Sequence, residues 1–358
     1  MSTSEQFDPN IHAELVYDGG DKVHAPERLG NPKPDQLQGT PLEQLAELAG
    51  RVCYDSLGAE KARGSVAYHA HIREVGHLSV YEHCVFTVEV ATPRATWPDP
   101  LTYELLEVLV NRPGVFVRIL PASVRVTCNL RSVLEFFNGT ATSPVTPAVL
   151  TNGDRLVRAS CALAPVVLSH RDPVHPSWSV VAPERDEEKW ITLLMCGSRG
   201  MSHELVRHGD FTAISQRSTR FLDEDATPWV EHPLLTTFQR GLPSEVRLDL
   251  IGGLPLVEAA RDVYRGVVRV LAVKHPRKQV RGVARGFLGN ALYTEVIFSA
   301  SVAQWRYMLR MRCSDAADAE IRVLFSKALR ELQRSNHGDR FADLGLRPAT
   351  DGIGEVLI

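Results

Sequence analysis

Glu204-Leu205-Val206-Arg207-His208-Gly209-Asp210-Phe211-Thr212-Ala213-Ile214-Ser215-Gln216-Arg217-Ser218-Thr219-Arg220-Phe221 is the stretch on which the reading of this chain turns. It sets arginines around a run of short hydroxyl residues. Arg207 and Arg220 each offer forked donors to phosphate oxygens, and Ser215 and Ser218 offer hydroxyls that reach an oxygen without adding bulk. Gln216 adds an amide able to read a polar ring edge. A cluster of this composition also occurs where a helix end meets an exposed loop and the arginines are simply solvated. The order of the residues favours the other reading, a nucleotide phosphate site.

Two more segments bear on it. Gly76-His77-Leu78-Ser79-Val80-Tyr81-Glu82-His83 is a polar turn that feeds a strand-like run, Cys84 to Val90, of β-branched and aromatic residues. Near the C-terminus come Gly282-Val283-Ala284-Arg285-Gly286-Phe287-Leu288, then Leu292 to Phe298, Trp305 to Arg312, and Ala319-Glu320-Ile321.

Together these segments resemble the flavin-dependent thymidylate synthases, the ThyX family. Its signature is Arg-His-Arg, seven residues, Ser, any residue, Arg. Here Arg207, His208, Ser218 and Arg220 match, Gly209 stands where the family has its second Arg, and eight residues separate it from Ser218. The extra residue is expected to bulge, with Gly209 as the flexible point. His77, Ser79 and Glu82 match the family's Gly-His-x-(Thr/Ser)-x-x-Glu-His turn, whose residues contact flavin and folate. Further departures are Gly289 for a Pro, Ala316 for a His, and Ser301 and Tyr307 where a typical member has asparagines facing flavin.

The resemblance implies an α+β fold with a central antiparallel sheet flanked by long helices. It also implies a methyltransferase that uses FAD, with NADPH and methylenetetrahydrofolate as co-substrates, to methylate C5 of a uridine monophosphate. Arg207, polarising the uracil carbonyl, and Ser218 would be catalytic. His77, Ser79, Glu82, Arg207, His208, Ser301 and Tyr307 would face FAD or folate. The nucleotide would be held by a clamp of Arg220, Arg285 and Arg312 with Ser218, and by Glu204, Gln216, Arg217 and Thr219. Similar enzymes are homotetramers with shared active sites, so Arg285 and the Ser218 loop are expected to meet across an interface. dUMP is the family's usual acceptor, while the Arg-His-Gly variant and the insertion resemble the UMP C5-methylases of polyoxin-type antibiotic pathways. A non-catalytic nucleotide-binding homologue is the alternative.

The remaining sequence limits other classes. With 358 residues, 44% of them hydrophobic, the chain can bury one large core or two modest ones. A formal charge of −3 disfavours a general nucleic-acid binder. No stretch is apolar enough to span a bilayer, and the first residues lack a secretory pattern, so a cytoplasmic protein is expected. The six cysteines form no Cys-x-x-Cys pair, fitting buried reduced thiols, and none sits in the Pro-Cys-His setting of the cysteine-dependent thymidylate synthases. His69, His71, His77 and His83 follow no zinc spacing, so no metal site is expected.

Residues 1–40 are expected to be mostly mobile apart from a strand at Ala13 to Tyr17. A single catalytic domain then spans 41–350. Helices are expected from Pro41, behind a Thr40 cap, and over about Ser65 to Val75. Between about Ala91 and Asp186 lies an α/β insertion that compact family members lack, read as an elaboration over the active site or a subunit contact. Its expected elements are a helix (Leu101 to Val110), strands (Val115 to Leu120 and Ser123 to Cys128), a short helix (Asn129 to Phe137) and a Pro-rich stretch (Ala164 to Pro176). A strand from Trp190 to Cys196 leads into a helix from about Gly200 that ends at Arg207-His208, followed by a Gly-Asp break. A long helix is expected over Pro255 to Lys274. A strand from Leu292 to Phe298 precedes the last helices, where Ile321, Leu324, Phe325, Ala328, Leu329 and Leu332 recur at helical spacing.

Overall fold

Local chemistry sets the first helix. Thr40 and Glu43 form a reciprocal capping box and Pro41 occupies the first turn of α1 (Pro41–Tyr54). A computed structural model of the chain describes residues 10–91, 115–132, 178–240 and 253–358. The expected helix at 101–110, the Pro-rich stretch, Cys161 and the short helix beyond Ser132 lie outside them.

Four antiparallel strands form the central sheet in the order β1 (His12–Tyr17), β6 (Trp190–Ser198), β8 (Tyr293–Ser301) and β7 (Thr212–Gln216). Alternation decides what covers each face. Ile191, Leu193 and Met195 of β6, with Val296, Phe298 and Ala300 of β8, join one core with α7 (Val302–Arg312) and α8 (Ala319–Arg334). The intervening Leu194, Cys196 and Ile297 meet Leu45, Leu48, Ala49 and Val52 of α1 on the other face. Trp305 of α7 is fully buried and donates its indole N–H to the Ile191 carbonyl at 3.0 Å.

A second antiparallel sheet runs β3 (Phe116–Ile119), β4 (Ser123–Asn129), β2 (Val85–Ala91), β5 (Trp178–Val181). The described strands of the insertion are therefore built onto β2. Phe86, Val88, Val124, Val126 and Cys128 share a core with Leu42 and Ala46 of α1 and with Tyr68 and Ile72 of α2 (Ser65–Glu74).

Residues 18–40, expected to be mostly mobile, are hydrogen-bonded to the domain. The Gln36 side-chain carbonyl accepts from the Gly58 amide at 2.8 Å, and Leu37 donates its amide to Glu47 of α1 at 3.1 Å. The segment after the Gly-Asp break is strand β7. Its pairing with β8 runs without a register shift, so the extra residue before Ser218 is not a bulge in that strand. The irregularity sits at Gly209 (φ 62°, ψ −128°), inside the turn Val206–Phe211 that follows α3 (Arg199–Leu205). A side chain at that conformation is strongly disfavoured, so the family's second arginine does not suit this backbone.

Beyond β7, α4 (Pro233–Arg240), α5 (Gly253–Leu271) and α6 (Arg277–Ala284) precede β8. On α5 Tyr264 is buried, but Val263 and Val270 are exposed. Among the described residues no helix is long and apolar enough to cross a membrane. The five described cysteines are buried free thiols.

Candidate active site

Strand β7 carries a group of sequence-predicted residues at each end. At its C-terminal end the chain turns sharply: the Ser218 carbonyl accepts from the Phe221 and Leu222 amides, and the Ser218 hydroxyl from the Arg220 amide at 3.3 Å. The turn is tied to the end of α1, because Ser218 donates its amide to the Cys53 carbonyl at 3.1 Å. Arg285, just past α6, reaches the same turn and donates to the Thr219 hydroxyl at 3.3 Å. The two were expected to meet across an interface; they meet within one chain. Arg220 is exposed.

Two other residues of this segment serve the loop itself. Gln216 donates its amide nitrogen to Ser202 (2.8 Å) and Thr294 (3.1 Å). Arg217 is paired with the fully buried Glu224 at 2.7 Å, and Thr227 donates to the same carboxylate oxygen. Glu224 was not foreseen, since nothing local in the sequence marks a buried carboxylate seven residues away.

The histidine turn lies against this end of β7. Tyr54 at the end of α1 presents its ring edge to His77 and Phe221, and its hydroxyl is 3.2 Å from His77 Nδ1. Ser79 is half-buried in the turn Leu78–His83, and Glu82 pairs with Arg131 of the insertion. His83 is wholly interior, with Ser299 Oγ 2.7 Å from Nδ1 and Ser215 Oγ 3.0 Å from Nε2.

The other end of β7 gathers Glu204, Arg207, His208 and Arg312. Arg312 forms an ion pair with Glu204 and donates from Nε to His208 Nε2 at 3.0 Å. Burial, reinforced by the Arg312 charge, holds the His208 imidazole down at about 4. Arg207 is exposed and, among the described residues, makes no hydrogen bond or ion pair. Tyr307 on α7 is half-exposed beside this group, where Gln304 donates to the His208 carbonyl at 3.1 Å.

Ser301 and the arginine clamp depart from expectation. Ser301, expected to face flavin, is 2% exposed and its hydroxyl accepts from the Gln304 amide as the N-cap of α7. The sequence Ser301-Val302-Ala303-Gln304 carried that capping signal. The clamp of Arg220, Arg285 and Arg312 is also divided by its contacts: Arg285 bonds Thr219 after β7, whereas Arg312 bonds Glu204 and His208 before it.

The family model described as "Thymidylate synthase complementing protein" matches residues 37–102 and 187–335, more than half of the chain. The chain belongs to the ThyX family. A flavin-dependent thymidylate synthase of Mycobacteroides abscessus is 37% identical over 168 residues, covering 45% of this chain and 63% of that relative. One of Mycobacterium tuberculosis is 32% identical over 163 residues, covering 43% and 61%. The chain thus matches somewhat less than two thirds of the length of these relatives, and most of the insertion, residues 103–186, falls between the two ThyX blocks.

The His83 contacts give this ThyX chain a pH-dependent stability. Burial pushes its imidazole down to about 3 from 6.5. The unfolded chain takes up this proton as pH falls through 6.5, whereas the folded chain takes it up only near 3. The contribution is therefore complete above 6.5 and is lost as pH falls from 6.5 towards 3. From this residue alone the unfolding free energy drops by about 2 kcal/mol between pH 6.5 and 5. Urea titrations of wild type and His83→Gln check it: the variant should show a shallower decline, and parallel curves would refute the assignment.

Proposed function

We propose that this chain methylates C5 of a uridine 5′-monophosphate, with dUMP as acceptor, methylenetetrahydrofolate as carbon donor, FAD as cofactor and NADPH as reductant. The observation that carries the reading is the sorting of the ThyX motif residues into two half-sites at the ends of β7. One is cationic and hydroxyl-rich; the other pairs a free arginine with a neutral histidine.

In the first half-site, Arg285, Arg220 and the Ser218–Thr219 turn would hold the phosphate, and Ser218, fixed by the Cys53 carbonyl, would be oriented toward the acceptor. In the second, Arg207 would stabilise charge on the uracil carbonyl while Glu204 and Arg312 hold each other in place. His208, depressed by burial, would stay neutral at working pH and act as a hydrogen-bond partner.

The residues fit FAD in part. Arg207 and the Tyr307 ring are free for an anionic, planar group, and His77 lies at an aromatic edge, whereas Ser301 is withdrawn into its helix cap. When bound, FAD supplies the electrons and the transient carrier for the one-carbon unit. We infer that the half-sites complete each other between copies, in the expected homotetramer. Exposed Val206, Tyr307 and Met311 around the Arg207 end, and Val263 and Val270 on α5, give apolar surface for such contacts.

The name of the relatives, thymidylate synthase, favours dUMP. UMP is kept as a second acceptor because Gly209 leaves the second half-site without one arginine and the loop is one residue longer. The test is turnover with FAD, NADPH and methylenetetrahydrofolate, offering dUMP and UMP separately and weighing the product. Methylated dUMP is the expected result. Product from UMP at an equal or higher rate would mark a specialised methylase, and nucleotide binding without product would mark a non-catalytic homologue.

A further inference from the structure

The strands of the insertion and the central sheet border a cavity of about 400 Å³ that shares no residue with either half-site. One wall is β2 and β5, with Val85, Phe86 and Val181; the other is the central sheet, with Trp190 and Thr192 of β6 and Tyr17 at the end of β1. A space of this size, lined by aliphatic and aromatic side chains with a few polar groups among them, is of the kind that holds a small molecule.

Most of its polar groups are already matched. Thr192 shares a hydrogen bond with Ser299 at 2.6 Å, Thr87 with Thr127 at 2.8 Å, and His83 lies between Ser299 and Ser215. Glu188, the acidic residue of the lining, is held between Arg118 at 3.3 Å and Arg125 at 3.2 Å. Two groups are left over. Among the described residues the Tyr17 hydroxyl and the His337 ring make no hydrogen bond, and neither is sealed in the interior. Burial pushes the Tyr17 phenol up to about 12 and the His337 imidazole down, so both are uncharged at neutral pH.

A fixed contact brings these two groups to one end of the cavity. Asp18, next to Tyr17, accepts from the Asn336 amide at 2.7 Å and from its side chain at 3.0 Å, which seats His337, just past α8, against this segment. Gly19, also in the lining, has φ 86°, and a Cβ there would come 3.6 Å from His337 Nε2. Glycine therefore leaves the space beside His337 open.

We propose that this cavity is a binding site for an uncharged, flat molecule that carries an amide, whose ring lies against the apolar walls and whose amide pairs with Tyr17 and His337. A planar amide fits because its carbonyl accepts from the Tyr17 hydroxyl while its N–H donates to an imidazole nitrogen. A charged molecule does not fit, because the Glu188 carboxylate is committed to its two arginines and an ion buried here would lack a counter-charge.

Calorimetry and thermal unfolding of the full chain test it, with benzamide as the probe and benzoate as a charged molecule of the same outline. One benzamide per chain should bind and raise the unfolding midpoint, with benzoate weaker by at least about tenfold. Tyr17→Phe keeps the ring and removes the hydroxyl; it should weaken benzamide about tenfold and leave the midpoint of the unliganded protein unchanged. A wild type that binds no benzamide overturns the proposal, and so does equal binding of benzoate or undiminished affinity in Tyr17→Phe. If Tyr17→Phe does not fold, His337→Leu must show the same loss, and full affinity there overturns the proposal. A benzamide bearing a diazirine fixes the place. On irradiation it should label peptides that contain Tyr17, Val181 or Trp190, whereas label confined to the Arg207 or Ser218 segments would mean capture in the half-sites and overturns the assignment.

Discussion

Mixing Arg285→Ala with Arg312→Ala, each nearly inactive alone, restores activity to about a quarter of the wild-type level when the copies associate at random. Each single variant removes a guanidinium from one half-site and should lower kcat/KM by about a hundredfold or more. In a mixed pair of copies, one site receives both defects and the other neither. Half the pairs are mixed, so one site in four is whole. The expectation follows from the contacts on either side of β7: within a chain, Arg285 stands by the Thr219 end and Arg312 by the His208 end. Co-expression of the two variants, followed by turnover with dUMP, measures it. Mixed protein that stays as inactive as its parents would mean that the half-sites act within one chain, or that only one is used.

Glu47→Ala is expected to cost about 3–5 kcal/mol of stability and to lower the unfolding midpoint by roughly 5 °C. Glu47 and Arg51 are both essentially inaccessible, and Arg51 Nε donates to Glu47 at 2.8 Å. The carboxylate also accepts from the Ser65 hydroxyl (2.5 Å) and the Leu37 amide (3.1 Å), joining α1, α2 and the N-terminal segment. Removing it leaves the Arg51 charge in the interior, stacked 4.9 Å over the Tyr68 ring. The double variant Glu47→Leu/Arg51→Met leaves no uncompensated charge and should lose less than the single one. Thermal unfolding of the three proteins decides this, and equal losses would mean that packing, not charge, sets the cost. The loss should extend to the active site, since α1 ends at the Cys53 carbonyl that holds Ser218.

Much of this architecture can be read along the chain. The Thr40 cap with Pro41, the apolar run at Trp190 to Cys196 and the helical spacing from Ile321 to Leu332 each report a neighbourhood that a single segment creates. The motifs around Arg207, Ser218 and His77 likewise single out the candidates for the site. Strand β7 was less legible, because five residues rich in hydroxyls have no strong strand signature and owe their extended form to pairing with β8.

What the sequence determined by itself is the kind of elements, the family and the candidates for its site, since period and motif spacing are local properties. Tertiary structure alone decided which of those residues share a half-site. The order β1-β6-β8-β7 puts Arg285 with Thr219 and Arg312 with His208 at opposite ends of one strand. Such neighbours come from segments far apart in the chain. Only strand pairing and burial bring them together, and neither leaves a trace in the spacing of the residues concerned.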